Sequence, residues 1–222
     1  MATNNQAQNE PQVETQNSSF ESFVKKYQSI ILWTVLAILI IVFGSPAIQK
    51  WAITPAREKA QSQAFVAEQK FRAGDYETAL NGDGNNRGFA QVIEQYGTKA
   101  GKAAYIYAGI CEFNLGNNVE AIEYFRRYNG KDKILKAKAL CCIGDAYANL
   151  DNNAKALEYF EKAAAVGDNA FRANFLFKAG IICEEMGNEA QALKYYEEIK
   201  AKYPQTLEAY EIDKYISRIQ NK

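Results

Sequence analysis

LCCIGDAYANLDNNAKALEYF, residues 140–160, decides the fold. Within it Gly144 is followed twelve residues later by Ala156, and four residues after that by the ring of Phe160. The same offsets join Gly109, Ala121 and Phe125 upstream, and Gly180, Ala192 and Tyr196 downstream. The three triplets start 35 and 36 residues apart. A fixed period in this range marks a solenoid of stacked supersecondary units, each read here as two antiparallel helices, A and B. Such a pair cannot bury its own apolar face and must stack on neighbours, so the repeated object is a binding surface.

The turns agree. Leu-Gly-Asn at 115–117, Leu-Asp-Asn at 150–152 and Met-Gly-Asn at 186–188 supply residues that tolerate φ > 0 where a helix ends. A damaged copy lies upstream: Ala67, Gly74, Asp75, Tyr76 and Ala79 keep the offsets, the next aromatic is missing, and 81–88 (NGDGNNRG) intervenes. From Ala67 to Gly109 is 42 residues, and the second helix of this unit resumes near Phe89. After the last unit, 206–219 carries Leu207, Ile212, Tyr215, Ile216 and Ile219 on one side and charges on the other, as expected of a capping helix.

These units resemble the tetratricopeptide repeat family. Its pattern is a large apolar residue, Leu-Gly and Tyr in helix A, then Ala, an aromatic and Pro in helix B. Leu140, Ile143, Gly144, Tyr147, Ala156 and Phe160 match best. The next unit offers Leu176, Ala179, Gly180, Cys183, Ala192, Tyr196 and Pro204; the one before departs at Glu112, where an aromatic is usual. The resemblance implies an all-α solenoid of about four helix pairs, with units near 60–98, 102–135, 137–170 and 173–205 and a cap at 206–220. It also implies that A helices line a concave groove. Carried over by position, the groove candidates are Phe65, Glu68, Phe71, Arg72, Ile106, Tyr107, Ile110, Phe113 and Asn114 in the first half. The second half adds Lys138, Cys142, Asp145, Asn149, Asn174, Phe177, Lys178, Ile181 and Glu184. The Lys/Asn arrangement with which relatives clamp a peptide carboxylate is not reproduced. The apolar first half suits an extended or helical peptide; the alternative is that the first unit or the helix linked to the anchor covers Tyr107, Ile110 and Phe113.

A second segment stands apart. No charged residue falls between Lys26 and Lys50, and residues 30–43 (IILWTVLAILIIVF) are almost wholly apolar. The span is placed at 29–51, with Trp33 and Trp51 flanking the run as interface anchors, roughly 27 Å apart on a helix. A buried core helix and a cleaved signal peptide with a weak site at Ser45-Pro46-Ala47 are the alternatives. The long polar stretch before the run, 1–28, favours an uncleaved transmembrane helix, and its Asn/Gln-rich composition makes it a disordered tail. Beyond the span, Thr54-Pro55 reads as a helix start, so one solenoid domain occupies 54–222.

Composition excludes much chemistry. Histidine is absent, which removes His-based triads, His zinc motifs and the commonest neutral-pH base. Cys111, Cys141, Cys142 and Cys183 lack C-x-x-C spacing and are expected to be small, packed and inert. The charges balance at 26 basic and 26 acidic residues with no basic stripe, so nucleic-acid binding has no electrostatic support. Asp83, Asn85, Gly88 and Glu94 fit most of a calcium-loop template, but Arg87 occupies a ligand place and the stretch reads as a turn. No cofactor, metal, nucleic acid or small-molecule substrate is expected, and the chain reads as a scaffold, not an enzyme.

Tail, single span and repeat domain together resemble bacterial single-span tetratricopeptide proteins that accompany the Sec translocon and envelope chaperones. That likeness implies an inner-membrane protein with its N-terminus cytoplasmic and its repeats periplasmic. Its partners would be extended protein segments or subunits of membrane complexes, with membrane lipid around the span. An assembly or stress adaptor, with the repeats in the cytoplasm, is the alternative. Lys25 and Lys26 before the span against Lys50, Arg57 and Lys59 after it do not favour the periplasmic orientation.

Overall fold

The computed structural model describes residues 15–44 and 53–221. The chain divides into two compact units, Met1–Thr54 and Pro55–Lys222.

In the first unit, α1 (Thr15–Leu39) runs into a π-helical turn, Ile40–Gly44. Phe23–Val42 is long and apolar enough to cross a membrane. Its side chains are exposed except for the half-buried Tyr27. Helix α1 takes in residues 15–28 of the polar stretch that composition marks as a tail. Extending an existing helix costs far less than nucleating one, and the Phe23 and Tyr27 rings, one turn apart, pack at 4.8 Å. Trp33 is 67% exposed. Residues 1–14, Trp51 and the Ser45-Pro46-Ala47 stretch lie outside the described residues.

The second unit is helical throughout, with no strand among its described residues. It contains α2 (Thr54–Arg72), α3 (Tyr76–Asn81), α4 (Phe89–Tyr96) and a 3-10 turn, Gly97–Ala100. Three pairs follow: α5 (Lys102–Asn114) with α6 (Asn118–Arg127), α7 (Lys133–Asn149) with α8 (Asn153–Ala165), and α9 (Phe171–Glu185) with α10 (Glu189–Lys202). Helix α11 (Leu207–Gln220) closes the stack. Helix α7 begins at Lys133 because the Asp132 side chain accepts from the Leu135 N–H and caps it.

One device makes four of the turns, those after α2, α5, α7 and α9. Gly74, Gly116, Asp151 and Gly187 take φ of +79°, +85°, +55° and +74°. The next residue's N–H then reaches back five positions. Asp75 donates to Lys70 O, Asn117 to Glu112 O, Asn152 to Tyr147 O and Asn188 to Cys183 O, at 2.8–3.0 Å. This satisfies carbonyls that a helix end leaves open. The side chains of Asp75, Asn152 and Asn188 next accept from the N–H groups of Thr78, Lys155 and Gln191, each at 3.2 Å, and cap the following helix. Two residues thus end helix A and start helix B. Asn117 departs, its amide donating to Glu112 Oε2 at 2.8 Å.

The triplets form the core. Ala121, Ala156 and Ala192 are wholly buried, and the Phe125, Phe160 and Tyr196 rings lie against Gly109, Gly144 and Gly180. In the damaged unit, four residues past Ala79 brings Asp83, not a ring. Phe89, wholly buried, supplies the ring six residues late, in one cluster with Ala67 and Ala79. The intervening loop closes tightly, since a Cβ at Gly88 would lie 2.2 Å from Leu80 O. In α11, Ile212, Ile216 and Ile219 are buried, but Leu207 is 82% exposed and does not join the inner face expected of it. It lies five residues before Ile212, about 140° around the helix at 3.6 residues per turn.

Candidate functional site

The candidate site is the A-helix face formed by α2, α5, α7 and α9. None of the sequence-expected groove residues is fully buried, so all belong to a surface or its margin. Their surroundings split them into a ring-lined end and a polar end.

At the first end, Tyr107 stacks on Phe89 with centroids 5.3 Å apart and planes at 22°, and meets Phe71 at 5.0 Å. The Tyr107 ring is thus half-buried beside the rings of the first unit. Tyr107 and Glu68 still border a cavity of about 460 Å³ with Arg57, Gln61, Phe89 and Lys102. Phe65 is 60% exposed and faces a separate, shallower hollow with Glu58, Gln61 and Ser62. Arg72 is exposed and forms a loose ion pair with Glu68 at 3.9 Å. Ile106, Ile110 and Phe113 are half-buried against the main core, and the Asn114 amide donates to Ile110 O at 2.8 Å.

At the other end, polar groups bridge successive helices. Lys178 Nζ donates to Asp145 Oδ1 at 2.6 Å, with both side chains about one-third exposed or less. The Asn174 amide donates to Glu208 at 3.0 Å, and the Asn149 amide to Asn118 at 3.1 Å. Lys138 Nζ sits 4.8 Å over the Phe171 ring. Glu184 accepts from Tyr196 Oη at 2.7 Å and from Arg218 at 2.6 Å. Burial, then that carboxylate, raises the Tyr196 pKa above the usual phenol range. Phe177 lies between Tyr196, at 6.1 Å, and Tyr215, at 4.9 Å, with Ile181 half-buried one turn on. These residues hold the stack together before they can hold a ligand.

The thiols are poor nucleophiles. Burial, then Glu112, pushes Cys111 up to about 12. Burial likewise raises Cys142 to about 11, with Asp145 adding to it, and Cys183 to about 11, with Glu161 adding to it. Cys141 is raised too, by burial and then Asp145. All four are free. Among the described residues no cluster of three or more His, Cys, Asp or Glu could hold a metal ion. Asp83 is held by its own loop, accepting from the N–H groups of Asn85 and Asn86 at 3.0 and 2.6 Å. Hydrogen bonding from Asn86 lowers its pKa. Arg87 turns away to Gln63 Oε1 at 2.6 Å.

Sequence reasoning missed Phe89, Arg57, Gln61 and Lys102 as walls of the first cavity. Only Phe89 left a signal, as the first apolar residue after the Gly88 turn.

Residues 143–205 match the family model described as tetratricopeptide repeat. The match supports the tetratricopeptide repeat family. It spans the end of α7 through α10, the stretch that holds the Gly144–Phe160 and Gly180–Tyr196 contacts. The fold is similar to a crystal structure of MamA, at 20% identity and a TM-score of 0.55, covering 70% of this chain and 93% of that one. A MamA structure from AMB-1 is similar at 16% identity and a TM-score of 0.53, covering 73% and 81%. A Pseudomonas aeruginosa PilF structure is similar at 16% identity and a TM-score of 0.50, covering 81% and 78%. At such identities the likeness is one of fold alone. No curated protein sequence matches this chain significantly. Tetratricopeptide repeats make protein–protein interaction scaffolds, and the helix pairs α5–α10 carry that geometry.

Proposed function

We propose that this chain is a membrane-anchored tetratricopeptide scaffold at the bacterial cell envelope. It binds extended protein segments or membrane-complex subunits in company with the protein translocon or envelope chaperones, and it catalyses nothing itself. The observation that carries this reading is α1: from 23 to 42 its apolar side chains lie exposed, as a helix solvated by lipid requires. The groove residues proposed for partner contact are Phe65, Glu68, Ile110, Phe113, Asn114 and Ile181, with Trp33 and Trp51 at the membrane interfaces.

The test is cross-linking in intact cells, extraction in mild detergent and identification of partners, beside an alkaline carbonate wash. The reading requires an uncleaved chain that stays in the membrane pellet. A soluble mature form starting near Ile48 makes α1 a signal sequence and defeats the anchor.

A second reading keeps the scaffold and reverses it. Two basic residues, Lys25 and Lys26, precede the apolar run and three, Lys50, Arg57 and Lys59, follow it, which favours a cytoplasmic solenoid. Reporters fused after Lys222 decide between them: one active only outside the cytoplasm gives signal if the repeats are periplasmic.

A further inference from the structure

Helix α6 ends and helices α5 and α7 begin at one corner of the solenoid. Lys102 Nζ donates to Asn129 O at 2.9 Å, and the Arg127 guanidinium lies 4.9 Å over the Tyr105 ring, which ties the start of α5 to the connection after α6. That connection runs on as Lys131-Asp132-Lys133-Ile134-Leu135-Lys136-Ala137-Lys138. All four lysines are exposed. Asp132, also exposed, is the one acid among them, and its side chain accepts from the Leu135 N–H at 3.0 Å. Ala137 is buried, yet Ile134 and Leu135 remain 45% and 37% exposed in the first turn of α7. In a chain with no net charge over its whole length, four lysines against one acid make a local excess of cations around two adjacent, partly uncovered aliphatic side chains.

We propose that this corner binds the anionic headgroup surface of a phospholipid bilayer. Its lysines meet lipid phosphates while Ile134 and Leu135 enter the interfacial layer. The observations favour a bilayer over an acidic peptide. Peptide sites present hollows spaced to take separate side chains, whereas here two consecutive aliphatic residues stand uncovered with lysines on both sides. Weak apolar insertion combined with a polybasic cluster is the pairing of signals that holds a protein surface to anionic lipid. The inference rests on the anchored reading above, under which covalent linkage alone keeps a bilayer at hand.

The test reconstitutes the full chain in vesicles of phosphatidylcholine, and in vesicles one-third phosphatidylglycerol. Flotation with the neutral vesicles reports the anchor; amide hydrogen exchange across 129–138 reports the corner. The expected result is flotation with both lipids and exchange slowed about tenfold only with the anionic one, reversed by high salt. Combining Lys131→Gln, Lys133→Gln and Lys136→Gln, which spares the Lys138 contact with Phe171, should abolish the slowing while flotation persists. The salt arm gives the same readout without any substitution, should that variant fold poorly. Flotation with equal exchange in the two lipids overturns the proposal and leaves the anchor standing. Failure to float with phosphatidylcholine defeats the anchor, and the corner is then decided by exchange with phosphatidylglycerol vesicles added from outside. Slowing by an oligouridylate but not by lipid also overturns the proposal and assigns the corner to nucleic acid.

Discussion

Gly144 lies so close to Phe160 that a Cβ on residue 144 would stand 2.6 Å from the ring's Cε1. The same contact recurs at Gly109 with Phe125, at 2.7 Å, and at Gly180 with Tyr196, at 2.3 Å. The missing side chain lets helix B of each pair press a ring onto helix A. Each ring is nearly or wholly buried, so it has little room to withdraw.

Gly144→Ala should therefore destabilise the solenoid, although alanine normally favours a helix interior by roughly 0.5–1 kcal/mol. The forced displacement of Phe160 should outweigh that gain, with overpacking costing ~1–3 kcal/mol and Gly144→Leu at or above the upper end. Circular-dichroism melts of full-length variants check this. Adding Phe160→Leu to Gly144→Ala should recover part of the loss, and a melt unchanged by Gly144→Ala would contradict the close contact.

Asp151 is the one non-glycine residue with positive φ among the described residues. Asp151→Gly should stabilise the unit by up to ~1 kcal/mol, because the left-handed conformation is strained for an L side chain. Gly116→Ala and Gly187→Ala should lose about the same amount, for the same reason. A Cβ at either glycine meets nothing within 4 Å, so the effect isolates backbone strain. Paired chemical-denaturation midpoints measure it.

Phe65 and Tyr107 both belong to the groove candidates, and their surroundings differ. Tyr107→Ala removes a ring stacked on Phe89 and should cost ~2–4 kcal/mol. Phe65→Ala removes an exposed ring and should stay within ~0.5 kcal/mol. A partner lost with Phe65→Ala at an unchanged melting temperature marks the binding face. Loss only in proportion to unfolded protein moves the search elsewhere.

Asp145 and Lys178 should behave as a coupled pair. Their 2.6 Å contact is partly shielded, so either single change, Asp145→Asn or Lys178→Met, should cost more than its share of the double change. A double-mutant cycle should return a coupling of ~1 kcal/mol.

The thiols predict an alkaline limit. Cys111 is raised from an ordinary 9.0 to about 12 by burial, and then by Glu112. A raised pKa in the fold means that the unfolded chain loses this proton first. Its stabilisation is complete below pH 9 and declines as pH climbs toward about 12. Native full-length protein should react slowly with iodoacetamide at neutral pH, starting at the half-exposed Cys142. Cys111→Ala should flatten the decline in melting temperature above pH 9.

Periodicity alone determined the helix pairs and the hairpins, because stacking repeats a local requirement at a constant interval, whereas the tertiary structure decided that each ring presses on the glycine of its own unit. Gly144, Ala156 and Phe160 could be read together for that reason, as could Asp151 and Asn152 as a turn. A long apolar run likewise announced α1, though its start at Thr15 depended on helix propagation through residues that composition marks as polar. The groove was legible only as a list of positions. Tertiary structure decided that Tyr107 leans on Phe89, that Asp145 and Lys178 satisfy one another, and that Leu207 faces outward. It also tied Lys102 to Asn129, and Arg127 to Tyr105, beside the connection that leads into α7. No linear pattern reports these, because each depends on which side chains from neighbouring units, tens of residues away, reach a given face first.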